Sequence, residues 1–433
     1  MSTKPCLAII GSGWGGFTLS QKVSLAKYDI VVISPIRTIQ YTPLLASAAC
    51  GLFNFRLAEE PVRRKRRHEV RYYKAIAEDI DFEKRVIRCK ADAHIGGGDG
   101  DENDSSSSSS SSPTTFEVKY DKICIAPGCA IQDFGTPGAK EHALFLRTTN
   151  DARLIQQRIL EMIDAASLPG VSEDRQREIL SVRIVGGGAV GIEAAAELWD
   201  LWFQEMRFLC PHLDGKLGIT IHDVAPQILS TFDSRLSEYA TQSLQGKDVE
   251  LKTSSHIERV EAGDIITKED GRLPFGLLIW ATGNKASSLV EVLDVKKPEK
   301  GLPRILTDKM LRVLRPDGSP IMDAYALGDA ADVEGDSLPA LAEVAMQKSE
   351  YLTGVLNSDK AAVRPFEYKQ RALLAYLGRH DGIIGGRQDW TGVSAWLAWR
   401  SGSLGWTRSW RRKIMILVSW AFVWLGGRDI ARP

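Results

Sequence analysis

Two glycine loops carry the residues whose types and spacing could do chemistry here. Gly11-Ser-Gly-Trp-Gly-Gly16 follows the apolar run Cys6–Ile10, opens a predicted helix to about Lys27, and is succeeded by a second apolar run, Asp29–Ser34. The same order returns at Ser181–Val185, Gly186-Gly-Gly-Ala-Val-Gly191, a helix through Leu201, and Gly218–His222. GxGxxG alone is a weak signal. Between a strand and a helix it has a mechanism: glycines permit a tight turn, and the helix N-terminus presents unpaired N–H groups to a pyrophosphate. Gly11, Gly13 and Gly16 would form one such site, and Gly186, Gly188 and Gly191 a second. The bland alternative is a pair of glycine turns without a ligand.

The residues that would read the ribose differ between the two loops. Asp223 closes the second strand of the second unit, where a carboxylate accepts hydrogen bonds from both ribose hydroxyls and repels a 2′-phosphate, favouring NADH over NADPH. Its distance from Gly186 exceeds the usual twenty-odd residues, so Trp202–Lys216 must be a helix extension and loop. The first unit ends in Ser34-Pro35-Ile36-Arg37, with no acid. Ile321-Met-Asp-Ala-Tyr-Ala-Leu-Gly-Asp329 reads as a strand ending in Gly328-Asp329, with a helix from about Leu338. In two-dinucleotide flavoproteins such a strand end brings a carboxylate to the ribityl chain of FAD; a turn-forming Asp is the plain alternative. Ile123-Cys-Ile-Ala-Pro-Gly128 and Leu278-Ile-Trp-Ala-Thr-Gly283 resemble the strand ends that mark crossovers between the two domains.

These motifs demand an α/β fold of two Rossmann-type dinucleotide-binding domains. The expected organisation is an FAD domain over 1–148 and 285–362, an NADH domain inserted over 149–284, and a C-terminal region, 363–433. Residues 91–113, with Gly96-Gly-Gly-Asp-Gly and Ser105 to Ser112, cannot bury apolar surface and read as a disordered insertion between two consecutive strands, Arg85–Cys89 and Thr115–Lys119. Arg63-Arg-Lys-Arg-Arg-His68, after an expected helix start at Glu60-Pro61, could be a localisation patch, but a solvated helix end explains it as well. Six cysteines without CxxC or metal-type spacing read as buried free thiols in a reducing compartment, and no metal site is expected. A disulfide reductase would need a CxxxxC pair near residue 45, where only Cys50 stands; Cys124 and Cys129 have the spacing but straddle a strand end.

At this point the chain resembles the type II, alternative, non-proton-pumping NADH:quinone oxidoreductases. The resemblance runs over nearly the whole chain. It includes both glycine loops, Tyr41-Thr-Pro-Leu-Leu45, Gly191-Ile-Glu-Ala-Ala-Ala-Glu-Leu198 and Ala326-Leu-Gly-Asp329. It continues through Leu338-Pro-Ala-Leu-Ala-Glu-Val-Ala-Met-Gln347, Leu374-Ala-Tyr-Leu-Gly378 and the closing Gly427-Arg-Asp-Ile-Ala-Arg432. It implies that Trp14 and Gly15 hold the FAD pyrophosphate with the other loop glycines, and that Ser34, Pro35 and Arg37 border its adenosine. Thr42, Pro43 and Leu44 would line the flavin and Asp329 the ribityl chain, with Gly128 and Gly328 also at the FAD site. Gly188, Ala189, Val190, Gly191 and Asp223 would bind NADH, with Thr282 and Gly283 near its nicotinamide half. Glu193 takes the place of a family carboxylate at the nicotinamide–flavin junction, the candidate catalytic group; an ordinary first-turn Glu complementing the helix dipole is the alternative. Met346 and Gln347 would meet the quinone, and Lys348 follows where many members have Gln or Glu. The implied reaction is oxidation of NADH through FAD with two-electron reduction of a ubiquinone-like quinone. An apoptosis-inducing-factor-like reductase and a non-enzymatic redox-sensing flavoprotein are the alternatives.

The zero net charge, from 55 Lys+Arg and 55 Asp+Glu, hides a partition. From Trp390 on there are six Arg and one Lys against one Asp, or +6, and seven of the eleven Trp. Ile414–Leu425 is twelve uncharged residues, about 18 Å as a helix, whereas a bilayer core of about 30 Å takes roughly 20 residues. Arg408, Arg411, Arg412 and Lys413 precede it, and Arg428 and Arg432 follow. That pattern fits an amphipathic helix lying in the membrane surface against anionic lipid, preceded by a weaker helix, Gly392–Leu404; a core-packing or dimer helix is the alternative. The family resemblance implies that the tail also supports a homodimer. It further implies peripheral attachment to the mitochondrial inner membrane, or to the cytoplasmic face of a prokaryotic membrane. Only Met1–Pro5 precede the first strand, which leaves no room for a presequence. No nucleic-acid partner is expected.

Overall fold

A run of apolar residues without alternation is what a parallel strand covered on both faces requires, and Cys6–Ile10 forms β1, with Leu7, Ala8 and Ile9 at 0 % exposure. The structure, a computed structural model, describes residues 4–92, 115–358, 364–386, 388–428 and 430. Their contacts divide the chain into two compact units, drawn from 1–39, 61–130 and 284–369, and from 40–60, 131–283 and 370–433.

In the first unit, β1 leads through α1 (Trp14–Lys22) to β2 (Asp29–Ile33), parallel to it in register Cys6 with Asp29. Lys122–Ile125 pairs with the other edge of β1, and Pro320–Ala326 with Lys122–Ile125, both parallel. Among the described residues this sheet has eight strands, with Arg71–Tyr73 at one edge and Ala331–Val333 at the other. A three-stranded antiparallel sheet, Ala75–Asp81, Val86–Ala91 and Thr115–Lys119, lies in the same apolar core. The insertion between its last two strands falls, from residue 93, outside the described residues.

Three expectations are corrected here. Helix α1 stops at Lys22 rather than about Lys27, where the Arg67 guanidinium accepts the role of a cap and donates to the carbonyls of Ser20 and Val23. The basic run is not a helix end: Glu59–Pro61 is a short strand, Lys65–Arg67 is one 3-10 turn, and Arg64 lies over the Phe17 ring. The helix expected from Leu338 begins at Ala342 and runs to Asn357. Leu338 precedes a proline, which disfavours helical backbone, and its N–H is held by Asp332 and its carbonyl by Arg304.

In the second unit, α2 (Leu45–Ala49) follows the 3-10 turn Thr42–Leu44. The second βαβ repeat comprises β3 (Ser181–Val185), α3 (Ala189–Leu201) and β4 (Gly218–His222). They belong to a five-stranded sheet in the order Leu144–Phe145, Leu277–Trp280, β3, β4, Val249–Lys252, parallel throughout. The long connection from α3 to β4 is a π turn, Trp202–Met206, one helical turn and a 3-10 turn, Pro211–Leu213. The C-terminal residues join this unit through β5 (Leu373–Gly378), α4 (Gly392–Trp406) and α5 (Trp410–Gly426). All six cysteines are free, and Cys6, Cys129 and Cys210 are only partly buried, which corrects the expectation of six buried thiols.

Candidate functional site

The first loop is a cradle that side chains could not occupy. Gly11 has φ +96°, and a Cβ there would lie 2.1 Å from the Ala126 carbonyl oxygen; one on Gly16 would lie 2.1 Å from that of Gly11. Gly13, by contrast, has open space at its Cβ position and caps α1 without any side-chain hydrogen bond, and the first turn holds no acid. The helix end therefore offers bare N–H groups and its positive dipole to an anion. Trp14 and Gly15 start α1. Gly128 (φ +73°) follows Lys122–Ile125, and Gly328 (φ +75°) and Asp329 form a 3-10 turn after Pro320–Ala326, the next strand of the sheet. The Cys129 thiol donates to the Asp329 carbonyl at 3.3 Å. At the end of β2, Ser34 is buried 3.0 Å from the Ser12 hydroxyl, while Pro35 and Arg37 are exposed. Met346 and Gln347 lie on the helix Ala342–Asn357; the Gln347 amide exchanges hydrogen bonds with the Lys369 backbone at 2.9 and 3.1 Å. Lys348 is 1 % exposed, donates to the Ala331 carbonyl at 3.1 Å, and is pulled down to about 8 by burial.

The second loop repeats this geometry. A Cβ on Gly186 would stand 2.5 Å from the Ala281 oxygen and one on Gly191 2.0 Å from that of Gly186, whereas Gly188 again faces open space. Ala189 and Val190 begin α3. Asp223 lies beside the loop: its carboxylate accepts the N–H of Gly187 and, at 2.7 Å, that of Ala225. A carboxylate has about four acceptor sites, so ribose hydroxyls can still be received. Thr282 and Gly283 follow Leu277–Trp280, with the Thr282 hydroxyl on the Gln132 carbonyl and Gly283 open at its Cβ position. Thr42 is exposed, Pro43 half-buried and Leu44 buried.

A set of acids beyond the expected ones lines one face of α3. Glu193, Glu197 and Asp200 recur at helical spacing, which places them in a row. Glu193 Oε1 accepts the Trp399 indole N–H at 2.9 Å and the Tyr376 backbone N–H at 3.3 Å. Burial pushes its carboxyl up to about 8 against the lowering effect of those two donors. An acid serving only the helix dipole needs neither donor. Glu197 accepts Ser47 Oγ at 2.6 Å and Arg428 Nη1 at 3.2 Å. Asp200 accepts the Tyr376 hydroxyl and the Arg379 N–H at 2.9 Å, and its carboxyl is raised by burial and by Glu197. Sequence reading missed Ser47, Asp200, Tyr376, Trp399 and the inward Arg428. The available signal was two further acids on one face of an otherwise apolar helix.

Two parallel βαβ units in separate sheets, each with a glycine cradle at a helix N-terminus that no side chain caps, define a two-dinucleotide-binding oxidoreductase. The chain belongs to the pyridine nucleotide-disulphide oxidoreductase family, whose pattern covers residues 6–349, and within it to the type II NADH:quinone oxidoreductases. It is similar to a probable NADH dehydrogenase of Dictyostelium discoideum, 34 % identical over 98 % of this chain and 90 % of the other. It is also similar to the internal alternative NAD(P)H-ubiquinone oxidoreductase A1 of Solanum tuberosum, a mitochondrial protein, at 32 % identity over 99 % and 88 %. Among solved structures, NDH2 of Plasmodium falciparum in complex with NADH superposes with a TM-score of 0.87 at 21 % identity, over 99 % of both chains. The disulphide of the family name has no counterpart here, since every cysteine is a free thiol.

Proposed function

We propose that this chain oxidises NADH with bound FAD and reduces a ubiquinone-like quinone at a membrane surface, without moving protons across it. The observation that carries this reading is that a two-cradle oxidoreductase also carries α5, whose face of Trp410, Ile414, Leu417, Val418, Phe422, Trp424 and Leu425 is exposed. FAD, when bound, supplies the carrier that takes hydride from the nicotinamide and yields two electrons to the quinone.

The residues present fit both nucleotides, because the only glycines of each loop with open Cβ positions, Gly13 and Gly188, stand at the bare helix ends. Gly11, Gly13, Trp14, Gly15 and Gly16 hold the FAD pyrophosphate; Ser34, Pro35 and Arg37 border the adenosine, Asp329 takes the ribityl chain, and Thr42, Pro43 and Leu44 line the flavin, with Gly128 and Gly328 also at the FAD site. Gly186, Gly188, Ala189, Val190 and Gly191 hold NADH, Asp223 its ribose, and Thr282 and Gly283 its nicotinamide half. Met346 and Gln347 meet the quinone. Reduction of a quinone by NADH consumes one proton. Glu193 can hold it near neutral pH: both donors reach Oε1, leaving Oε2 as the protonation site.

No described helix is long and apolar enough to cross a membrane. The 17 residues of α5 reach about 25 Å, so it lies in the interface, and the C-terminal tail also supports a homodimer. We take the membrane to be the inner mitochondrial one, with the cytoplasmic face of a prokaryotic membrane as the alternative; relatives that are mitochondrial support the first. Purified protein should show a bound-flavin spectrum and sustained NADH oxidation by a short-chain ubiquinone. A flavin reduced by NADH but reoxidised by no quinone would sink the reading.

A further inference from the structure

Helix α5 is fastened at both ends to one short stretch of chain. At its start, the Arg408 N–H donates to the Tyr41 hydroxyl oxygen at 3.0 Å, and that hydroxyl donates to Glu60. Arg412 Nη1 stands 3.5 Å from Glu60 Oε1. Tyr41 is 0 % and Glu60 2 % exposed. At its end, Gly427 turns the chain at φ +82° and Arg428 points inward, with its side chain 3 % exposed. Arg428 Nη1 donates to the Cys50 carbonyl at 3.1 Å and to Glu197 Oε2 at 3.2 Å, while Glu197 Oε1 receives Ser47 Oγ at 2.6 Å. Tyr41 and Cys50 bracket Thr42–Ala49, so the two fastenings enclose the Thr42–Leu44 turn and α2. Presenting an apolar face to lipid requires neither fastening. Two buried, charge-assisted attachments around eight residues do restrict how those residues sit.

We infer that Tyr41, Arg412 and Arg428 are positioning residues: through them the ends of α5 set the Thr42–Ala49 segment for the quinone half of the reaction. This rests on the reading of Thr42–Leu44 as lining the flavin and of α5 as the helix on the membrane from which quinone arrives. None of these bonds involves Gly186–Gly191 or Asp223, so the NADH cradle itself lies outside the bracket.

The test uses the full-length, FAD-loaded protein on phosphatidylcholine vesicles, with Tyr41→Phe, Ser47→Ala, Arg428→Gln and Arg428→Lys. Flavin reduction by NADH is followed by anaerobic stopped flow, and KM and kcat are measured with a short-chain ubiquinone. Arg428→Gln and Tyr41→Phe should raise the quinone KM about tenfold or more, the scale expected of an ångström-sized misplacement. Flavin content and the rate of flavin reduction should stay within about twofold, and Arg428→Lys should restore part of the loss. If Arg428→Gln does not fold, Tyr41→Phe and Ser47→Ala carry the test. An unchanged quinone KM overturns the inference; so does a parallel fall of both half-reactions with lost flavin, which is a purely structural role. Failure of the functional reading itself is separate, because the unsubstituted protein would then reduce no quinone.

Discussion

Glu193 illustrates how a buried acid couples chemistry to stability. The unfolded chain gives up this proton near 4.5, whereas burial lets the folded protein keep it to about 8. Over that window the folded state binds more protons, so stability is greatest at the acid end and declines as pH rises from about 4.5 to about 8. Glu193→Gln should flatten this slope, read as the urea midpoint between pH 5 and 8, and should remove a kcat limb near pH 8. An unaltered slope would refute the assigned proton. Asp223 makes a different kind of statement. Its carboxylate borders the second cradle, so Asp223→Asn should raise the NADPH-to-NADH ratio of kcat/KM about tenfold by removing like-charge repulsion. An unchanged ratio would mean that another residue reads the ribose. The glycines were legible because their chemistry is local: a strand end, a turn and a helix start lie within a few residues of one another, and Asp223, 36 positions beyond Gly187, was legible as the acid that ends the next strand of the repeat. The partners of Glu193 were not, since Tyr376 and Trp399 stand 183 and 206 positions away and meet it only through packing.

At the scale of elements, α5 is a fixed part of the second unit rather than a tether. Cutting the chain before Gly392 removes Trp399 and Arg428, leaving Glu193 and Glu197 short of buried partners. Loss of membrane binding in such a truncation would therefore be confounded by unfolding. Substituting the outer face avoids this: Phe422 and Trp424 are 68 % and 84 % exposed. Burying each such side chain in the acyl boundary contributes about 1.5–3 kcal/mol, so Phe422→Ser with Trp424→Ser should weaken vesicle partitioning roughly 10²–10⁴-fold. Flavin content should be retained, and undiminished co-sedimentation would refute the anchor. The helix was readable from its uncharged run and flanking cations, but its attachments were not. Hydrophobic periodicity reports which face is apolar; it is silent on which cation at the helix end turns inward.

The whole molecule alters what its charge partition means. From composition, the +6 tail is a lipid-seeking element on a −6 body. The structure commits part of that charge internally. Arg428 lies between Glu197 and Asp200, Arg412 faces Glu60, and Arg400 stacks over Trp420 at 4.2 Å in a setting where burial lowers its pKa. Among the described cations of the α5 start, Arg411 and Lys413 remain for phosphate headgroups, and of these Arg411 is exposed and Lys413 half-buried. At about 1 kcal/mol per cation near an anionic surface, two cations are worth roughly 30-fold in partitioning, where six would give about 10⁴-fold. Binding should therefore strengthen by roughly 30-fold between neutral and strongly anionic vesicles and persist at high salt, because area on α5 rather than charge holds the protein down. Complete release at about 0.5 M salt, where screening reaches only a few ångströms, would show instead that the cations dominate and that Arg412 and Arg428 leave their carboxylates when the membrane is present.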